Sequence, residues 1–508
     1  MHPSTLRPEN LRKSAVLNSL TGIVDFAAKL GVSFFLNPLM ISLLGPIYFG
    51  AWQVISQLNS YMATADIRAA TSLKFILSRD RSVSSELELK KVVSSALYSN
   101  LFFIPVYLCL GVFVIWFSPI LSGVDYEFYL TVRIASAFLV LSFVVTQFFF
   151  LFESTLHGMN LSYKRIGVRA AIIILAGISS AVILYMDYGI IGLAIVQVFA
   201  AVLIGFSFWI IVKKYIPWFE FVRVSRNRIF SFIKLSGWYM FLKIADLLSQ
   251  SIDMILLGYL AGPEYVAVYA ITKYLMIASS GLVRTVSTAT TVGIAKFIGE
   301  NSYDKLLEAR EQLLNVQWFL IIITGNIVCL YNQSFIQLWT KESLFSGQIE
   351  SLLIIIISIF TMMYQVDSGI INSTLKLKRK IIVTFISSII SIVLSFILVP
   401  QFKTLGLLIA ISIGIIFLAL SLTYLVKVET GADFKIFKVF YSRLALVGYL
   451  FLTISFYSTK WIFINNWLQL VVLVIFTALL LGVLTWYLGF DSSERKILRR
   501  SIKMLNKK

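Results

Sequence analysis

Six acids and six bases stand inside stretches of this 508-residue chain that are otherwise apolar enough to cross a membrane. They are Asp25, Lys29, Asp66, Arg68, Arg133, Glu153, Lys243, Asp246, Asp253, Lys273, Arg284 and Asp367. At roughly 2.5 to 3.5 kcal/mol for each charge at a helix centre, a dozen facing lipid unpaired would cost about 30 to 40 kcal/mol, so they must face water or one another. Helical spacing groups them. Lys243, Asp246, Gln250 and Asp253 share one face, as do Lys273, Ser280, Arg284, Ser287 and Thr291, while Gln53, Gln57, Ser60, Thr64, Arg68 and Thr71 form a third polar stripe. Asp66 points elsewhere, with Asn59.

Two kinds of chemistry are open to these groups. Asp25 and Lys29 lie four residues apart, and Lys243 and Asp246 three apart, so each couple can form an ion pair that fixes helix packing as readily as it serves transport. Arg68, Lys273 and Arg284 have no acid three or four residues away on their own helices and suit an anionic cargo, with Lys29 and Lys243 behind them. Asp25, Asp66, Asp246, Asp253 and Asp367 are candidates to carry a proton or sodium ion, because a partly dry cavity raises a carboxyl pKa. Arg133 and Glu153 fall near span ends, where snorkelling to the interface is expected. No metal or cofactor is expected: Cys109 and Cys329 sit in apolar runs, the only histidines are His2 and His157, and there is neither a Walker loop nor HExxH.

The elements that hold these residues follow from composition. The chain is 58% hydrophobic and 14% charged with a mean hydropathy of +0.87, which marks an all-α polytopic membrane protein. Apolar runs define fourteen spans, at 15–44, 50–77, 92–118, 128–155, 168–187, 189–212, 232–260, 265–295, 312–340, 350–374, 381–400, 405–426, 443–462 and 467–488. The first run lacks a cleavage site and reads as an uncleaved span. Loops on one side hold 35 of the 44 basic residues, whereas the other side holds only Lys341, Lys403 and Lys460. The positive-inside rule therefore puts both termini in the cytoplasm and accounts for the net charge of +19 without nucleic acid. The outer loops are short, and Trp116, Trp339, Trp461 and Trp467 read as an interface belt.

The chain also repeats itself. LLGPIYFGAW, in the external turn after span 1, returns 217 residues later as LAGPEYVAVY after span 7. Lys74-Phe75-Ile76 returns as Lys296-Phe297-Ile298, Ser154-Thr155-Leu156 as Ser373-Thr374-Leu375, and Gly192-Leu193 as Gly406-Leu407. Spans 1–6 and 7–12 are thus two parallel six-helix bundles, residues 1–230 and 231–428, followed by two additional spans at 429–490 and a basic cytoplasmic tail at 491–508. Parallel repeats of this kind place a substrate path at their interface. Arg68, Lys273 and Arg284 have no basic counterpart at the repeat offset, so the scaffold is copied and the charges are not.

With the Gly-Pro-x-Tyr turn, Ser251-Ile252-Asp253 leading into Leu256-Leu257-Gly258, and two six-helix halves plus two helices, the sequence resembles a known family. It is the polysaccharide transporter branch, O-antigen flippases in particular, of the multidrug/oligosaccharidyl-lipid/polysaccharide flippase superfamily. The resemblance implies a bacterial inner-membrane protein that moves undecaprenyl-diphosphate-linked oligosaccharide to the periplasmic leaflet for lipopolysaccharide or a similar surface polymer. It implies the polysaccharide polymerase and chain-length machinery as partners, along with membrane lipid. A diphosphate would engage Arg68, Lys273 and Arg284 by paired hydrogen bonds and point charge. The competing readings are a lipid II flippase, which shares the fourteen spans, and a multidrug/cation antiporter, which has twelve and a cationic cargo. A membrane glycosyltransferase or polymerase would need a large external loop, and a scaffold would not need charged stripes. The sequence therefore reads as a transporter and not an enzyme.

Overall fold

The computed structural model describes residues 8–65, 73–74, 76–77, 84–230, 252–281, 297–298, 300, 302–341, 344–374, 377–431, 442–462, 464–491 and 495, with backbone only for 8–19 and 63–65. Among these residues twelve helices carry the fold: α1 (Pro8–Ala65), α2 (Glu86–Ser122), α3 (Tyr129–Gly158), α4 (Val168–Tyr185), α5 (Gly189–Tyr215), α6 (Asp253–Ala261), α7 (Pro263–Thr272), α8 (Tyr303–Thr340), α9 (Gln348–Thr374), α10 (Leu377–Thr430), α11 (Arg443–Ser458) and α12 (Trp467–Leu488). Residues 274–281 are also helical, and no strand occurs among the described residues. Nine helical stretches among those residues are long and apolar enough to cross a membrane, and each of the fourteen spans expected from the sequence has a described helical segment.

Two of the long helices are hairpins. α1 breaks at Gly45 (φ 76°, ψ 169°), where glycine reaches a backbone conformation closed to other residues and Pro46 starts the next helix with its φ already set. α10 breaks at Lys403, φ 49°. Elsewhere the ends are capped. Ser85 accepts a hydrogen bond from the Glu88 backbone N–H at the start of α2, and Asn466 accepts one from Gln469 N–H at the start of α12.

The backbone carries the repeat more clearly than the side chains do. Gly262, in the second Gly-Pro turn, has φ 103° and ψ 166°, matching Gly45 217 residues earlier. Gly123, the left-handed cap of α2 (φ 67°, ψ 26°), corresponds at an offset of 218 to Lys341, the left-handed cap of α8 (φ 57°, ψ 14°). Gly189 at φ 57° and Lys403 at φ 49° are 214 residues apart, the offset of the Gly192-Leu193 match. Positive φ is rare outside glycine, so three such pairs at nearly constant offset are strong evidence of duplication. The Phe75, Lys296 and Leu375 members of the sequence matches lie outside the described residues.

By contact the chain divides into two compact units, 1–266 and 267–508. The division falls inside α7 and later than residue 230, because α6 packs on α1 and α2: a Cβ on Gly258 would press on the Leu121 carbonyl, and one on Gly50 would collide with the Pro263 carbonyl. Thus the two Gly-Pro turns lie against each other within the first unit. There α3 packs along α5, with Phe149 occupying the space a side chain at Gly205 would need. Leu73, Leu77, Val93, Leu156, Phe208 and Val212 form a buried core. In the second unit α9 packs along α10, and α8 receives the two extra spans. Tyr331 bonds Thr477 at 2.6 Å and Ser455 donates to Asn326 at 2.7 Å, so polar contacts hold α11 and α12 to that unit.

Candidate functional site

Each unit gathers buried charge near one end. In the first, the 3-10 turn Ser162–Arg165 between α3 and α4 packs on α1 and brings Arg165 over Asp25. Arg165 Nη1 donates to Asp25 Oδ2 at 2.8 Å and Nη2 reaches Glu153 Oε1 at 3.2 Å, while Arg169 Nη1 donates to the same Glu153 oxygen at 2.9 Å. Arg165 also stacks over the Phe208 ring. His157 lies 3.8 Å from Glu153 through Nε2 and meets Ser162 Oγ at 2.7 Å through Nδ1. Asp25, Glu153 and Arg165 are buried.

Lys29 belongs to this cluster without being paired in it. It lies close enough to Arg169, Asp25 and Glu153 to interact with each electrostatically, yet among the described residues it makes no hydrogen bond or ion pair. Its side chain is exposed, with Asp25, Glu153 and Arg169 nearby. Two carboxylates already answer two guanidiniums, and the Lys29 ammonium is the surplus charge.

Two expectations are corrected here. Asp25 does not pair with Lys29 along its own helix; Arg165, delivered by a different element, spans Asp25 and Glu153 with one nitrogen on each. Glu153 does not snorkel; it is the shared acceptor at the centre of the cluster.

The second unit builds a related arrangement. Arg310 on α8 grips Asp367 on α9 with Nε to Oδ1 at 2.6 Å and Nη2 to Oδ2 at 2.8 Å, and Thr423 on α10 donates to Oδ2 at 2.6 Å. Asp367 has no exposed surface and Arg310 is buried. One helical turn away, Lys380 donates to Ser368 Oγ at 2.7 Å and Asn372 Oδ1 at 2.8 Å, also fully buried. Asn372 stands 219 residues after Glu153 and Lys380 stands 215 after Arg165. The junction between the fourth and fifth helix of each copy is therefore fastened the same way, by a cation-acid bond in the first and a cation-amide bond in the second.

Of the other expected site residues, Lys273 stacks over the Tyr269 ring at 4.4 Å. Asp253 accepts from the Met254 N–H at the start of α6 and interacts with Tyr61. Arg68, Arg284, Lys243, Asp66 and Asp246 lie outside the described residues. Sequence reasoning missed Arg165, Arg169, Arg310 and Lys380, which it counted among cytoplasmic loop charges. One sign was present: Glu153 and His157 are four residues apart, as are Arg165 and Arg169, so each element presents two polar groups on one face. Trp339 is also buried, against Phe335 and Tyr274, and so is no part of an interface belt, unlike the exposed Trp116 and Trp461. An apolar groove of about 200 Å³ between α4 and α5, lined by Ile172, Leu175, Phe199 and Leu203, carries no charge.

Comparison with known proteins adds the following. The model of a family described as "Polysaccharide biosynthesis protein" matches residues 19–292, and the MatE model matches residues 240–397. No curated protein matches the chain. Among solved structures, the lipid II flippase MurJ in an inward closed conformation aligns with a TM-score of 0.71 at 18% identity, over 92% of this chain and 97% of that one. An inward-facing multidrug resistance MATE family transporter of the MOP superfamily aligns with a TM-score of 0.61 at 16% identity, over 80% and 98%. A MOP superfamily transporter from Pyrococcus furiosus, described as having a binding pocket of reverse polarity, aligns with a TM-score of 0.55 at 16% identity, over 89% and 97%. These likenesses are of fold.

Proposed function

Because the chain belongs to the polysaccharide biosynthesis protein family, a family of multi-pass membrane transporters and flippases, we propose that it flips undecaprenyl-diphosphate-linked oligosaccharide, an O-antigen or similar repeat unit, from the cytoplasmic to the periplasmic leaflet of a bacterial inner membrane. The observation that carries this reading is Lys29. It is a cation left over after Asp25, Glu153, Arg165 and Arg169 have paired, and it has surface open to a ligand. A diphosphate would meet such a charge, with Arg68, Lys243, Lys273 and Arg284 as the further head-group candidates from sequence. A cationic drug would be repelled by it, which weighs against an antiporter reading.

Movement would occur by alternating access, without enzymatic chemistry. Proton or sodium coupling is assigned among Asp25, Asp66, Asp246, Asp253 and Asp367. Of the described members, Asp25 fits best, since its Oδ1 is buried and has no hydrogen-bond partner. Asp367 fits least, because both of its oxygens are engaged. A lipid II cargo is the second reading, favoured by the likeness to MurJ; it carries the same diphosphate, so Lys29 does not separate the two.

The test is transport by purified protein in liposomes loaded with labelled undecaprenyl-diphosphate oligosaccharide or with lipid II. Movement of the former and not the latter is expected; the reverse would assign the chain to lipid II. Failure of both, in protein that folds and inserts, would remove the proposal.

A further inference from the structure

Near the opposite, external end of the first unit stands a cation that no acid answers. Arg133, one turn into α3, makes no hydrogen bond and no ion pair among the described residues, although Asp125 and Glu127 lie in the turn just before the helix. Its guanidinium carbon sits 4.5 Å above the Trp116 ring centroid, on the last turns of α2, and 5.7 Å from that of Tyr129. Its Nε is sealed from solvent with no partner.

The surroundings are exposed, apolar and aromatic. Trp116 is 59% exposed and Leu130 70% exposed, with Val112 and Phe113 also open and Tyr126 extending the aromatic row through Tyr129. A guanidinium held on an indole face pays less for leaving water than an ammonium does, and its free edge presents parallel N–H donors that fit a phosphate. Aromatic rings of this kind settle at head-group depth.

We infer that Arg133, Trp116 and Tyr129 form a binding site for the phosphate of an anionic phospholipid in the external leaflet. The aromatic rings orient the guanidinium and pack against the glycerol backbone, and Arg133 donates to the phosphate through its Nη groups. The site lies at the other end of the membrane from Lys29 and does not depend on the cargo proposed for it.

Native mass spectrometry of the purified full chain titrated with phosphatidylglycerol tests this. The wild type is expected to retain one lipid that Arg133→Gln loses, with about tenfold weaker binding, and Arg133→Lys to recover only part because it lacks the fork and stacks less well. Trp116→Leu is expected to weaken the same lipid. Lys164→Gln, on the cytoplasmic side, should leave it unchanged. Phosphatidylcholine, whose phosphate carries a covalent cation, should compete poorly. Thermal stability separates binding from folding: without lipid Arg133→Gln should melt with the wild type, and only the wild type should gain stability on adding phosphatidylglycerol. Equal retention by Arg133→Gln would overturn the assignment, as would equal loss from Lys164→Gln or preferential retention of undecaprenyl phosphate.

Discussion

Arg310 is the partner on which a fully buried carboxylate depends, so Arg310→Ala leaves Asp367 charged and uncompensated. A loss of about 3–5 kcal/mol is expected, read as a lowered melting temperature in detergent, whereas replacing both residues with Arg310→Met and Asp367→Leu should recover much of it. If the single substitution melts with the wild type, the pair contributes nothing to the fold. At Lys29 the expectation is the opposite. Lys29→Ala removes a charge whose attraction to Asp25 and Glu153 is opposed by Arg169 and which makes no hydrogen bond or ion pair among the described residues, so stability should change little while transport of a diphosphate-linked lipid falls about tenfold, a loss of ~1.4 kcal/mol of head-group interaction. Lys29→Arg should preserve transport. The intramembrane charges were legible in the sequence because apolar runs isolate them. Their partners were not, since Arg165 reaches Asp25 across 140 residues and only the packing of the Ser162–Arg165 turn on α1 decides it. Arg310 and Lys380 escaped notice for a related reason: a charge near a span end looks like a loop charge whether the helix extends past it or not.

The helices and their breaks were far more readable, because hydropathy marks each span and Gly-Pro marks the turns. Not readable were Lys341 and Lys403, two non-glycine residues at positive φ where the first copy has Gly123 and Gly189. Lys341→Gly should therefore stabilise the protein by about 1 kcal/mol, visible as a higher melting temperature; an unchanged or lower value would mean that Lys341 makes compensating contacts. The strap after α5 gives a prediction in pH. Lys90 bonds Glu220 at 2.7 Å, Arg228 bonds Glu88 at 2.8 Å, and Ser94 Oγ accepts from the Val222 N–H, tying residues 216–230 to the start of α2. The Lys90 ammonium holds the Glu220 carboxyl below its ordinary value of 4.5. A lowered folded-state pKa means the contribution is complete above that ordinary value and fades as pH falls through the folded one. Amide exchange in the strap, corrected for intrinsic rates, should rise over that acidic window and with salt, since both partners face solvent. Lys90→Ala should reduce the pH dependence, leaving the part carried by Glu88, whose carboxyl Lys91 and Arg228 also hold below its ordinary value, and a strap that exchanges equally at all pH values would contradict the tie.

At the scale of the whole molecule, duplication supplied two like scaffolds and divergence supplied the chemistry. Glu153 with Arg165 and Asn372 with Lys380 fasten the same junction, with Lys29 beside the first. The proposed anionic cargo rests on Lys29. The most direct measurement is the sidedness of undecaprenyl-diphosphate-linked oligosaccharide in cells lacking the chromosomal copy and complemented with wild type or Lys29→Ala at equal expression. The account predicts intermediates trapped facing the cytoplasm without the protein and with Lys29→Ala, and restored external exposure with the wild type. Unaltered sidedness and normal surface glycan without the protein, in a strain that has no second flippase, would contradict it.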